Sequence, residues 1–295
     1  MKTAFAFFAG AMIVIQANAR SAADIKTALE SIAPSGMVVK AAYAKGASFR
    51  VFPHEMNQTT NVYSVSSVDG VVRKVNTSSG RFSMVNITAD GTRVLYYDWG
   101  ASRCYIADFN GGNERRIDLG GRYLVEYWRD PQNGSDWAVC SDPLTRINVD
   151  DPTKRVQLST MGNGDGGGLS DDGQYVLACC GFGMWKVPNG PFVAGQGAGG
   201  CMGSVRAGPL NQYSANKSGH GAVIVNNPDG SKAFELATGP LVVSGLTGEG
   251  ARWSQHPDYI SFAAASNDRG YQNNPYLMRV SDKKLIYIEN RVAGA

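Results

Sequence analysis

Histidine is scarce in this chain, with His54, His220 and His256 the only three among 295 residues. A histidine-based metal centre needs three or four converging ligands, and no pair here has the i, i+4 helical or short-loop spacing that builds one. Cysteine is also sparse, at five, and none forms Cys-x-x-Cys, which excludes the common zinc, thioredoxin-type and haem-attachment patterns. Charged residues make up only 18%, and the net excess of +3 is spread through both signs. There is no basic stripe for a phosphate backbone, so nucleic acid is not an expected partner. After residue 19 no segment approaches 18 continuous apolar residues, so no retained membrane span is expected. Neither a Gly-x-Ser-x-Gly elbow nor a Gly-x-x-x-x-Gly-Lys-Ser loop occurs, which removes the usual signals for a serine hydrolase and a nucleotide site.

What is present begins with a leader. Lys2, an apolar run over residues 4–15, and small residues Ala17 and Ala19 match a secretory signal over residues 1–19. The mature chain is therefore expected in a periplasm or outside the cell. Residues 20–36 hold the one helix signal: Ser21 as cap, Asp24 in the first turn, Ile25, Ala28, Leu29 and Ile32 on one stripe, and Pro34 as the stop. The remaining residues, 37–295, are rich in glycine (36) and aromatics (10%), which suits strands joined by tight turns.

Those residues repeat. Thr88, Ala89, Asp90 and Gly91 turn between two strands, the second ending in Tyr96 and Tyr97; a third strand over residues 104–109 follows, then the turn at Gly111 and Gly112. Ser170, Asp171, Asp172 and Gly173 open a second copy. One series of turns falls at Gly70, Gly112, Pro152, Gly190, Gly230 and Asp282, and another near Gly46, Gly91, Ser135, Gly173, Pro209 and Asp258. Two series keeping step at about 40 residues predict an all-β fold, a six-bladed β-propeller of four-stranded antiparallel blades. Tyr96, Tyr97, Val176, Leu177, Ile260 and Phe262 are expected to pack between blades.

The stretch from Thr88 to Tyr97, with Tyr105 to Ile117, resembles the WD40-like repeat of TolB-type six-bladed propellers, and the likeness extends loosely over residues 37–290. That resemblance implies fold far more than function, because the repeat serves envelope scaffolds, glycan-binding proteins, peptidase accessory domains and some polysaccharide lyases. Seven-bladed oligogalacturonate lyases resemble the repeat too, and imply an alternative: a metal-assisted lyase using His54 or His220.

Strand alternation sends the long connections to one end of the ring. That end is expected to carry Trp99 and Tyr271 as aromatic platforms, with His54, His220, Arg269 and Asn273 beside them. Rings that cover the apolar face of a sugar, among amides and charged groups that bond its hydroxyls, are carbohydrate-binding chemistry. Two glycine-rich connectors, 161–168 and 194–200, join the same end; they read as passages into a narrow channel, with Asn163 and Asp165 as possible donors to Ca²⁺. The Asp150–Asp151 and Asp171–Asp172 pairs read as turn formers.

All five cysteines map to one end of their blades. In an oxidising compartment this favours disulfides, with Cys104 paired to Cys140 and Cys201 to Cys180 or Cys179. The leading expectation is a secreted or periplasmic, non-catalytic propeller that binds a carbohydrate or an envelope partner through its long-loop end. A purely structural part in a surface assembly is the third reading.

Overall fold

The computed structural model describes residues 21–46, 59–141, 143–160, 167–178, 183–188, 190, 192–194, 203–216, 222–237, 246–266 and 274–288. Their strands form six antiparallel sheets, confirming a six-bladed β-propeller. Five blades have four strands each, within residues 82–117, 124–157, 167–194, 204–237 and 246–287. In each of these the first strand lies innermost, against the first strand of the neighbouring blade.

The repeat recurs because one side-chain device recurs. In the second blade Asp90 Oδ1 accepts from Thr88 Oγ1 (2.6 Å) and Thr92 N (2.9 Å), while Gly91 takes a φ of +69° that favours glycine. In the fourth blade Asp172 Oδ1 accepts from Ser170 Oγ (2.6 Å) and Gln174 N (2.9 Å) beside Gly173. An Asp-Gly pair thus sets each tight turn, and the alternating strands then face their apolar residues to both sides.

Blades pack face to face through those residues. Tyr96, Phe82 and Val94 meet Val62 and Val75 of the first blade, and Tyr97, Cys104 and Ile106 meet Leu124, Tyr127 and Cys140 of the third. Val176 faces the third blade and Leu177 the fifth, and Ile260 packs on the fifth from the sixth, as expected. The side chain of Phe262 lies outside the described residues.

The first blade departs from the expected pattern. Gly46 is not a turn between its first and second strands; it ends the strand Lys40–Gly46 and pairs with Thr60 of the strand Thr60–Ser66. A third strand, Arg73–Lys74, completes the sheet. Lys40 Nζ donates to Gly91 O (2.7 Å) and sits 4.9 Å from the Phe109 ring, so the strand begins beside the tight turns of the second blade. Running from the turn end, it holds the place of a second strand, and among the described residues no strand occupies the innermost place of this blade.

The N-terminal helix, Ala22–Ile32, closes the ring. Ser21 Oγ accepts from Asp24 N (3.2 Å) and Asp24 Oδ2 accepts from Ser21 N (3.1 Å), a reciprocal cap. Ile25, Leu29 and Ile32 bury against Ala41, Tyr43 and Val65 of the first blade and Tyr259, Leu277, Ile286 and Ile288 of the sixth. Tyr259 Oη and Arg279 Nη1 both donate to the carbonyl of Ile32, at 2.5 and 3.1 Å. No helix among the described residues is long and apolar enough to cross a membrane.

Candidate functional site

At the end of the ring formed by the tight turns, the inner strands of the third to sixth blades surround a cavity of about 280 Å³. Its wall includes Glu126, Trp128, Asp130, Asp171, Trp253 and Gln255. Glu126 and Trp128 project from the same face of the strand Leu124–Arg129, two residues apart, so both point toward the fourth blade. There the strand Gly167–Leu169 offers only hydrogen at position 168. A Cβ on Gly168 would stand 1.7 Å from Glu126 Oε2, and Gly168 holds a φ of +156°. The glutamate therefore passes over the fourth blade and reaches the fifth, where Ser204 Oγ donates to its Oε1 at 3.1 Å. The same hydroxyl accepts from Trp253 N of the sixth blade at 3.1 Å. One serine thus links three inner strands.

Glu126 is 9% exposed, and its Oε2 has no hydrogen-bond partner among the described residues; Trp253 Nε1 shares that condition. Burial pushes the Glu126 carboxyl up to about 8, against the opposing pull of Arg252 and Ser204, with Asp171 adding a smaller upward push. Asp171 is exposed as a residue, yet its carboxyl also titrates above the usual range, because the surrounding wall strips water from it and Asp172 lies next to it. Asp171 Oδ2 accepts from Gly208 N of the fifth blade.

The arginines near this cavity are engaged elsewhere. Arg129 meets Asp136 at 3.4 Å. Arg252 donates to Gly203 O (3.3 Å) and reaches Met84 Sδ (3.5 Å) in the second blade. Arg206 donates to Pro257 O (2.8 Å) and Gln212 Oε1 (2.6 Å) while stacking 4.9 Å from the Trp253 ring. Arg146 stacks on Trp128 at 4.7 Å. The two tryptophans are thus clamped by cations from the protein and form rigid walls.

Of the residues expected to bind at the long-loop end, Trp99 is described. It is half-buried at the seam of the second and third blades, edge-on to Tyr97 (5.1 Å) and tilted against Tyr123 (5.2 Å), with Nε1 bonded to Ser83 Oγ. His54, His220, Arg269, Tyr271 and Asn273 lie outside the described residues, as do Asn163, Asp165, Cys179, Cys180 and Cys201. His256 is exposed at the turn end, where its Nδ1 accepts from Asp258 N at 3.2 Å. Among the described residues no group of His, Cys, Asp or Glu is arranged to hold a metal ion.

Two expectations need correction. Cys104 and Cys140 are free thiols, not a disulfide. They share one apolar seam, but Cys104 Sγ donates to Tyr105 O (3.8 Å) and Cys140 Sγ to Ala138 O (3.5 Å), each within its own blade. Burial pushes the Cys104 thiol up to about 12 and raises that of Cys140 well above the ordinary value. The aspartate pairs also divide their work. Asp172 and Asp151 are turn formers, whereas Asp171 lines the cavity and Asp150 pairs with Arg93 (2.8 Å) and Arg115 (2.7 Å).

Solved structures share this architecture. The β-propeller domain of Cps50 (Swd1) from Myceliophteria thermophila is similar, with a TM-score of 0.52 and 12% identity over 85% of this chain and 87% of that one. The chain is a β-propeller. A catalytically inactive virginiamycin B lyase from Staphylococcus aureus, solved with quinupristin, aligns over 88% and 91% of the two chains at 11% identity and a TM-score of 0.45. No protein-family model matches the sequence. No curated protein matches it either. Likeness at these identities concerns fold alone.

Sequence reasoning missed Glu126, Trp128, Trp253 and Ser204. Glu126 left one signal: a carboxylate within the apolar run from Tyr123 to Trp128, where a buried strand has no use for a charge.

Proposed function

We propose that this chain is an exported, non-catalytic propeller that binds a carbohydrate, and that the sugar enters the cavity at the turn end. The observation that carries this reading is the cavity wall itself: two fixed indoles beside Glu126, Asp171 and Gln255. Sugars are held by aromatic surface for their C–H faces and by carboxylates and amides for their hydroxyls. Trp253 Nε1 is a donor, and Glu126 Oε2 an oxygen, with no partner among the described residues, and a hydroxyl can serve both kinds of group. A cavity of about 280 Å³ accepts a short stretch of a glycan rather than a flat wall surface.

The test is co-sedimentation of the mature protein with insoluble plant, fungal and bacterial wall polysaccharides. Selective binding to one polymer is the expected result. Failure to bind any member of a broad panel overturns the reading and directs the search to an envelope protein as the partner.

A further inference from the structure

The balance of charge around the cavity narrows the ligand, on the footing that the carbohydrate reading holds. Three carboxyl groups line the wall, from Glu126, Asp130 and Asp171, against one guanidinium, that of Arg129. Arg129 is taken by Asp136. Asp130 is satisfied locally, accepting from Gln132 N (2.9 Å) and Asn133 Nδ2 (3.1 Å). Glu126 has a buried oxygen, Oε2, that takes no bond among the described residues, since Ser204 uses only Oε1, and Gly208 N bonds Asp171 through Oδ2, leaving its Oδ1 open to a ligand.

We propose that the cavity takes a sugar carrying a free amine, with its ammonium held between Glu126 and Asp171. Neither carboxyl has a cation at bonding distance, Arg252 acting on Glu126 only from farther away; an ammonium with three donors bonds both and favours the ionised form of Glu126. The indoles of Trp128 and Trp253 flank the same space and give the sugar ring its apolar contact. Uronate polymers are disfavoured, because their carboxylates meet Asp130 and Asp171 with no uncommitted cation in the wall to receive them. An N-acetylated sugar also loses the contact, since its amide carries no charge.

The test uses intrinsic tryptophan fluorescence, or calorimetry, with three oligomers of equal length: glucosamine, N-acetylglucosamine and galacturonate. The glucosamine oligomer is expected to bind at least about ten-fold more tightly than the acetylated one, and the galacturonate oligomer not to bind. Asp171→Asn and Glu126→Gln should each remove most of that preference. Asp171 is exposed, so its variant tests the contact even where loss of the buried glutamate alters folding. Equal or tighter binding of the acetylated or acidic oligomer overturns the amine contact and leaves the carbohydrate reading intact. If no oligomer binds while a wall polymer does, the amine proposal falls alone; if neither oligomer nor polymer binds, both fall.

Discussion

Ser204 and Glu126 meet at 3.1 Å from inner strands two blades apart, and they can do so because position 168 between them is glycine. The contact ties the third, fourth and fifth blades at the axis, and through Trp253 N it reaches the sixth. Gly168→Ala places a methyl group into the carboxyl and requires an L side chain at a φ of +156°. The expected loss of stability is at least about 1–3 kcal/mol, the cost of an overpacked core site, measured by urea unfolding. An unchanged midpoint would mean that Glu126 does not cross the fourth blade.

Glu126 gives stability a pH dependence. An acid whose folded pKa, about 8 here, exceeds its unfolded value of about 4.5 binds its proton more tightly when folded. Its contribution is then greatest below the unfolded value, declines as pH rises between the two, and is gone above about 8. The charged groups acting on it are Arg252 from the sixth blade and Asp171 from the fourth. Stability should fall between pH 5 and pH 8 in the native chain, and Glu126→Gln should flatten that decline. Thermal midpoints across the range check this; parallel curves for the two proteins would contradict it.

Asp136 and Asp150 share the guanidinium of Arg93 but differ in burial. Asp136 is 5% exposed and also accepts from Tyr127 Oη at 2.6 Å, whereas Asp150 is well exposed. Asp136→Ala removes the acceptor of the Tyr127 hydroxyl and one of the two carboxylates on Arg93, and should cost about 1–3 kcal/mol. Asp150→Ala should cost no more than about 1 kcal/mol. Denaturant midpoints of the two variants separate the cases.

Leu29 has no exposed surface and lies in the cluster that joins the first and sixth blades. Leu29→Ala should destabilise by about 2–5 kcal/mol, with amide exchange rising first in the strands Lys40–Gly46 and Lys284–Tyr287. Exchange that rises evenly around the ring would show that the helix does not act as the closure.

Cys104 and Cys140 are buried, with raised thiol pKa values, so neither should react with an alkylating reagent in the folded protein. Both should label once the chain is unfolded without reductant, as mass spectrometry reads. Loss of labelling in the unfolded, unreduced chain would indicate a disulfide.

The ring was legible in the sequence because a tight turn states itself locally: Asp90-Gly91 and Asp172-Gly173 carry their own side-chain bonds and their own positive φ. The exception shows the limit of that signal. Gly46 looked like another turn, yet it pairs across to Thr60, and only the partner strand decides between the two. The cavity was less legible for a related reason. Glu126, Gly168, Ser204 and Trp253 come from four blades, and none is near another in the chain, so no spacing motif records their meeting. Trp99 was legible as an aromatic at the long-loop end, but its packing on Tyr97 and Tyr123 depends on the angle between two blades. Cys104 and Cys140 share one apolar seam, yet each points to a carbonyl of its own blade.

Binding through the turn-end cavity is tested most directly by two variants and the polysaccharide that the native protein selects. Ala207→Trp fills the cavity from its wall, and Trp99→Ala removes the half-buried aromatic at the opposite end. With both variants shown to fold by circular dichroism, Ala207→Trp should lose co-sedimentation and Trp99→Ala should retain it. Retention by Ala207→Trp with loss by Trp99→Ala would place the ligand on the long-loop end and contradict the account.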